Sequence, residues 1–266
     1  MLADWVLAKR GEVETNTGII KESSDIPDTP FPVASVYLRS PQSEGHTNQL
    51  VEWIAKHTNC TKLILEDRVG RSTLATIRKV QHLAWLELEA AGPLEDKDIL
   101  ELKNMPSLFR LGLRADKLTQ RGWSYIRDEL NLTELAIRAP RVSPEAMQTI
   151  AEIKTLNVLT LFQVPITKRL LEPLHKSPIS TLFIWGEDAM EEDIGTSIAR
   201  IPGLSRMSFN NLTLQDKHLR KITGPPSLRI LNLGYNSKIT GEGVRELLKR
   251  LPKIELNEDA KRLLEP

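Results

Sequence analysis

The stretch Leu228-Arg229-Ile230-Leu231-Asn232-Leu233-Gly234-Tyr235-Asn236 decides the architecture of this chain. Leu231 and Leu233 stand two apart, on one face of an extended strand, with Leu228 leading in and Asn236 in the turn that follows. The same frame recurs upstream as Leu204/Met207/Phe209, Ile179/Leu182/Ile184, Leu156/Leu159/Leu161 and Leu132/Leu135/Ile137. It continues as Leu108/Leu111/Leu113, Leu83/Leu86/Leu88, Cys60/Leu63/Leu65 and Val33/Val36/Leu38, and closes downstream as Leu251/Ile254/Leu256. Successive copies begin 23 to 27 residues apart. Such a period predicts a solenoid, because one unit of this size cannot bury its apolar face and is completed by its neighbours.

The second half of each unit carries helical spacing. Thr240 precedes Val244, Leu247 and Leu248; Thr119 precedes Trp123 and Ile126; Ser143 precedes Met147 and Ile150; Thr167 precedes Leu170, Leu171 and Leu174. A hydroxyl at these places accepts from the free N–H groups of a helix start, and Pro144 suits a first helical position. Leu74/Ile77, Ile99/Leu102, Ile194/Ile198 and Leu219/Ile222 repeat the spacing with weaker caps. Each unit reads as a strand, a turn and a returning helix.

On these residues the chain resembles the leucine-rich-repeat family, and its units are most similar to the ribonuclease-inhibitor-like kind. The clearest copy runs from Leu228 through Thr240-Gly241-Glu242-Gly243-Val244 to Leu251. The resemblance implies an α/β fold, a right-handed horseshoe solenoid with a parallel sheet on the concave side and helices on the convex side, over residues 32–258. The turns depart from the family. Asn236 holds the consensus asparagine, while Pro41, Arg68, Ala91, Asp116, Pro140, Val164, Glu187 and Leu212 hold that place elsewhere, so no regular asparagine ladder is expected.

Residues 1–31 read as an N-terminal cap, with Leu2, Trp5 and Val6 on a short helix and a hairpin over 12–14 and 18–20. Asp4-Trp5-Val6-Leu7, Asp25-Ile26-Pro27 and Pro30-Phe31 resemble the segment ahead of the repeats in bacterial leucine-rich-repeat proteins of unassigned role. Residues 259–266 read as a C-terminal cap, with Leu263 and Leu264 packing back, and the whole as a single structural domain.

Lys and Arg number 36 against 35 Asp and Glu, a formal charge of +1. That balance lacks the field that gathers phosphates, so no nucleic-acid partner is expected. No apolar run reaches the length of a membrane span, and the N-terminal residues are wrongly flanked for a signal peptide. The expected setting is cytoplasmic, with no membrane partner, and the expected state is a monomer. The one cysteine, Cys60, occupies a frame position and is expected in the core. The five histidines are scattered without metal-ligand spacing. Glu187-Asp188 and Glu191-Glu192-Asp193 lack the turn glycine of a calcium loop. With no phosphate loop or nucleophile motif, no cofactor, metal or catalysis is expected.

Chemistry then falls to the strand face opposite the leucines, since side chains alternate along a strand. The partner-binding candidates form three zones: Trp85, Glu87 and Glu89; then Arg110, Arg114 and Arg138; then Val158, Phe162, Phe183 and Trp185, followed by Arg206. Aromatics beside arginines are the residue types of protein-binding hot spots. They also fit a blander arrangement, rings stacked on one another for stability and arginines in solvated pairs of small value. The expected function is a protein-binding module whose concave face serves an adaptor, inhibitor or effector. The resemblance also leaves open an enzyme activator of the GTPase-activating type, using one of the three arginines, a ligase-associated protein, or a structural fragment of a larger multidomain protein.

Overall fold

A computed structural model describes residues 12–15, 18–20, 33–38, 44–66, 69–186, 194–234 and 236–265. The chain forms two compact units, Met1–Leu132 and Thr133–Pro266.

In the first unit, β1 (Glu12–Thr15) and β2 (Gly18–Ile20) form the expected antiparallel hairpin, and β1 runs antiparallel to β3 (Val33–Leu38). From there β4 (Lys62–Leu65), β5 (Trp85–Pro93) and β6 (Arg110–Arg114) add in parallel, each beside its predecessor. The register aligns Val36, Leu63, Leu86 and Leu111 in one row, so the apolar frame is a ladder in space. The helices α1 (Glu44–His57), α2 (Arg71–Ile77), α3 (Asp96–Ile99, continued by a 3-10 turn at Leu100–Leu102) and α4 (Gln120–Glu129) alternate with the strands. Their apolar stripes are buried: Leu50, Val51 and Ile54, then Leu74 and Ile77, Ile99 and Leu102, and Trp123 and Ile126. The sequence pattern did not single out α1, which occupies the long 27-residue step between the first two frames.

The second unit repeats the scheme with β7 (Glu134–Arg138), β8 (Val158–Phe162), β9 (Thr181–Trp185), β10 (Arg206–Asn210), β11 (Ile230–Asn232) and β12 (Glu255–Leu256). Leu135, Leu159, Leu182, Met207, Leu231 and Leu256 share one row of the parallel sheet, and Ile137, Leu161, Ile184 and Phe209 the next. Between the strands run α5 (Pro144–Ala151), α6 (Lys168–Leu171, continued by a 3-10 turn at Glu172–Lys176), α7 (Gly195–Ile198), α8 (Asp216–Lys221) and α9 (Gly241–Arg250), and α10 (Glu258–Arg262) follows β12. Burying one such Leu or Ile side chain is worth roughly 1.5–3 kcal/mol, which is why the frame tolerates few polar substitutes.

The caps are where the sequence places them. Ser143 accepts from Ala146 N–H at 3.1 Å, Thr167 from Leu170 N–H at 3.2 Å, Thr240 from Gly243 N–H at 3.2 Å, and Thr119 from Arg121 N–H at 3.3 Å. The single consensus asparagine is buried and spans two repeats. Asn236 Nδ2 donates to the carbonyls of Phe209 (2.8 Å) and Gly234 (3.0 Å), and its Oδ1 accepts from Leu212 N–H (3.1 Å). At the last turn the expectation is corrected. Leu263 is exposed rather than packed back, Leu264 is half-buried, and the small Ala260 on α10 is the fully buried residue, because a five-residue helix turns only one narrow face inward.

Candidate functional site

In the first unit, register brings Lys62, Trp85 and Arg110 side by side on the strand face. The ammonium of Lys62 lies 4.0 Å from the Trp85 ring centre and the guanidinium of Arg110 lies 3.8 Å from it. A cation over an indole face is attracted by the ring quadrupole. The indole N–H donates to the Glu87 carboxylate, which also stands 3.7 Å from Arg110 Nε. Beneath Glu87 the partner strand carries Gly112, where any Cβ would overlap the carboxylate. Trp85 is therefore held by two cations and an acceptor at once. Arg114 is exposed and pairs with Asp116 at 2.6 Å. The side chain of Glu89 lies outside the described residues.

In the second unit, Arg138, Phe162, Trp185 and Asn210 occupy one row of four adjacent strands. The Phe162 and Trp185 rings are 6.1 Å apart and tilted by 33°. Arg138 lies 5.2 Å from the Phe162 ring centre and donates to Gln163 Oε1 at 3.1 Å. Trp185 is 36% exposed, one of the few large apolar side chains so open among the described residues. Phe183 sits one row over, between Thr160 and Ser208, and is partly buried. Val158, Thr181 and Arg206 share the third row. Arg206 is exposed.

The sequence-predicted residues thus fall into two groups. Trp85, Glu87 and Arg110 converge, and so do Arg138, Phe162 and Trp185. The three arginines meet different groups: Arg110 lies over Trp85, Arg114 pairs with Asp116, and Arg138 meets Phe162 and Gln163. The face is not evenly open. Gly112, Ala136, Ser208, Asn210 and Gly234 are buried; the Glu87 carboxylate lies against Gly112 and the Asn210 side chain against Gly234. Sequence reasoning passed over Lys62 as a site residue, although the alternation places it on this face. It gave no hint of Gln163, which follows the strand with a left-handed backbone (φ 54°).

The groups weighed for catalysis have structural partners. Cys60 is fully buried, and burial pushes its thiol up to about 11 against weaker lowering contacts from the backbone at Lys62 and Val36. His175 contacts the Ser197 carbonyl at 3.0 Å, and desolvation lowers its pKa. His218 Nδ1 accepts from Gln215 N–H at 2.9 Å and caps α8. No helix among the described residues is long and apolar enough to cross a membrane.

No protein-family model and no curated protein matches this chain. Among solved structures 126 chains do. One belongs to the crystal structure of the Rad7 and Elc1 complex in yeast; it is 16% identical, with a TM-score of 0.55 over 81% of this chain. The match covers 62% of that neighbour, so this chain spans less than two thirds of its length. At that identity the likeness is one of fold. The fold is an α/β leucine-rich-repeat-like solenoid, with parallel strands alternating with helices.

Proposed function

We propose that this chain is a protein-binding module and not an enzyme, and that its working surface is the strand face of the second unit, centred on Phe162, Phe183 and Trp185 with Arg138 and Arg206 at the margins. The observation that carries this is Trp185, whose ring remains 36% exposed although it stacks on Phe162. An apolar ring left open on a sheet face is a feature of interaction sites. Trp and Arg are the side chains from which most hot-spot energy comes. Charge decides the partner's chemistry: the cations flanking these aromatics call for a segment presenting an apolar or aromatic side chain next to carboxylates. The neighbour's presence in a two-protein complex supports the reading in a general way. The ribonuclease-inhibitor-like subtype, the bacterial type of N-terminal cap, a cytoplasmic setting and a role as adaptor, inhibitor or effector belong to the same proposal.

The test is affinity capture from source-cell lysate with wild type beside Phe183→Ala/Trp185→Ala, partners being identified by mass spectrometry and folding checked by circular dichroism. A partner held by wild type and lost by the folded variant supports the site. The same partner held equally by both rules it out.

A further inference from the structure

A cavity of about 480 Å³ opens at the starts of α3 and α4 in the first unit, on elements the strand face does not use. That volume lies within the ~300–1,000 Å³ common for small-molecule sites. Its walls divide into three kinds. Lys97, Lys117 and Arg121 supply three cations, and Leu100 and Tyr125 supply an apolar floor and a ring. Two carboxylates complete it, and they differ in employment. Asp96 is engaged by its neighbour: Oδ1 accepts from Thr119 N–H at 2.9 Å and Oδ2 from the Thr119 hydroxyl at 2.5 Å. Glu95 instead lies across two of the cations, 3.0 Å from Lys97 Nζ and 3.8 Å from Lys117 Nζ. Arg121 folds back over Tyr125, donating to its hydroxyl with the guanidinium 5.3 Å from the ring centre.

Glu95 thus marks, from within the chain, the position at which an anion is held. Its carboxylate is half-exposed; besides the two screened surface pairs it accepts from the Asp98 backbone N–H in the capping box that starts α3, so an incoming anion competes with weak ion pairs and one cap hydrogen bond. Once Glu95 is displaced, three cations face the cavity beside a ring and a leucine. A monoanion leaves that charge under-balanced, whereas a phosphate ester carries about −1.5 to −2. The ring and leucine favour an aromatic body on that ester, because aromatic faces stack on each other and on guanidinium.

We propose that this cavity binds an aromatic phosphate monoester, its phosphate displacing Glu95 from Lys97 and Lys117 and engaging Arg121, and its ring resting between Leu100 and Tyr125. The same chemistry is offered by a free aryl phosphate and by a phosphotyrosine in a protein.

Phenyl phosphate, inorganic phosphate and a short phosphotyrosine peptide are titrated separately into ¹⁵N-labelled protein and followed by amide chemical shifts. Phenyl phosphate is expected to give saturable shifts confined to residues 95–125 and to bind at least about threefold more tightly than inorganic phosphate. Glu95→Gln, which removes the internal competitor, is expected to tighten binding. Lys117→Ala/Arg121→Ala is expected to weaken it about tenfold or more, with the remaining spectrum unchanged as evidence of folding. A peptide that outbinds phenyl phosphate identifies a phosphoprotein source, and equal affinities identify a free ligand. Shifts that do not saturate, inorganic phosphate binding as tightly as phenyl phosphate, or Glu95→Gln binding no better than wild type would overturn the proposal.

Discussion

At the scale of single residues, two repeats far apart in sequence share one device. Asp96 accepts from the Thr119 backbone and hydroxyl, and Asp216 from those of Thr240 at 2.9 and 2.6 Å. Each Thr is the N-cap of the next helix, so the aspartate of one repeat holds the helix start of the following one. The third residue of each following helix is glycine, Gly122 and Gly243, where a Cβ would overlap the aspartate. Gly→Ala inside a helix ordinarily stabilises by about 1 kcal/mol. Here the displaced carboxylate loses two charge-assisted hydrogen bonds, so Gly243→Ala is expected to destabilise by about 1–2 kcal/mol. In an Asp216→Ala background the same change is expected to stabilise, and a double-mutant cycle by urea denaturation reads the reversal. Cys60 carries a second prediction. Its folded pKa of about 11 lies above the ordinary 9.0. The stability this neutral thiol provides is whole below pH 9 and is lost as pH rises toward 11. Wild type is therefore expected to lose roughly 2–3 kcal/mol more than Cys60→Ala between pH 8 and 11, measured by urea midpoints.

Among the elements, helix starts were legible and helix ends were not. Thr119, Ser143, Thr167 and Thr240 act within two or three residues of themselves, so local sequence suffices to find them. The end of α8 depends on a residue 28 positions from Ile222: Arg250, on α9, donates to the carbonyls of Ile222 at 2.8 Å and Leu219 at 2.6 Å. These are carbonyls a helix C-terminus leaves unpaired, and a guanidinium there also suits the helix dipole. Arg250→Met keeps the stem but removes the donors. It is expected to cost about 1–2 kcal/mol and to speed amide hydrogen exchange in α8 more than in α5. A buried frame leucine is costlier: Leu135→Ala is expected to lose about 2–5 kcal/mol in a denaturant melt.

For the molecule as a whole, the period was readable because it is repeated ten times; the candidate site was readable only as far as a row. Alternation says correctly that Trp85 and Trp185 face away from the leucines. It cannot say that one indole is enclosed by Lys62, Arg110 and Glu87 while the other stays open, because that depends on which side chains meet across strands some two dozen residues apart. The two tryptophans are accordingly expected to behave differently. Trp85→Leu is expected to lower the melting temperature by several degrees and leave partner capture intact, since cation–π contacts of this kind are worth about 0.5–2 kcal/mol. Trp185→Leu is expected to shift melting little and abolish capture. Paired calorimetry and capture on both variants check the crossing.

The order of strands within each unit's sheet carries a last consequence. From β3 to β6, and again from β7 to β12, each strand adds beside the one before it. Within each unit the described parallel strands follow one another directly, so one repeat is a cassette that duplication can insert and unequal exchange can remove without re-threading the rest. New surface can therefore be added by lengthening such an array as well as by changing residues within it.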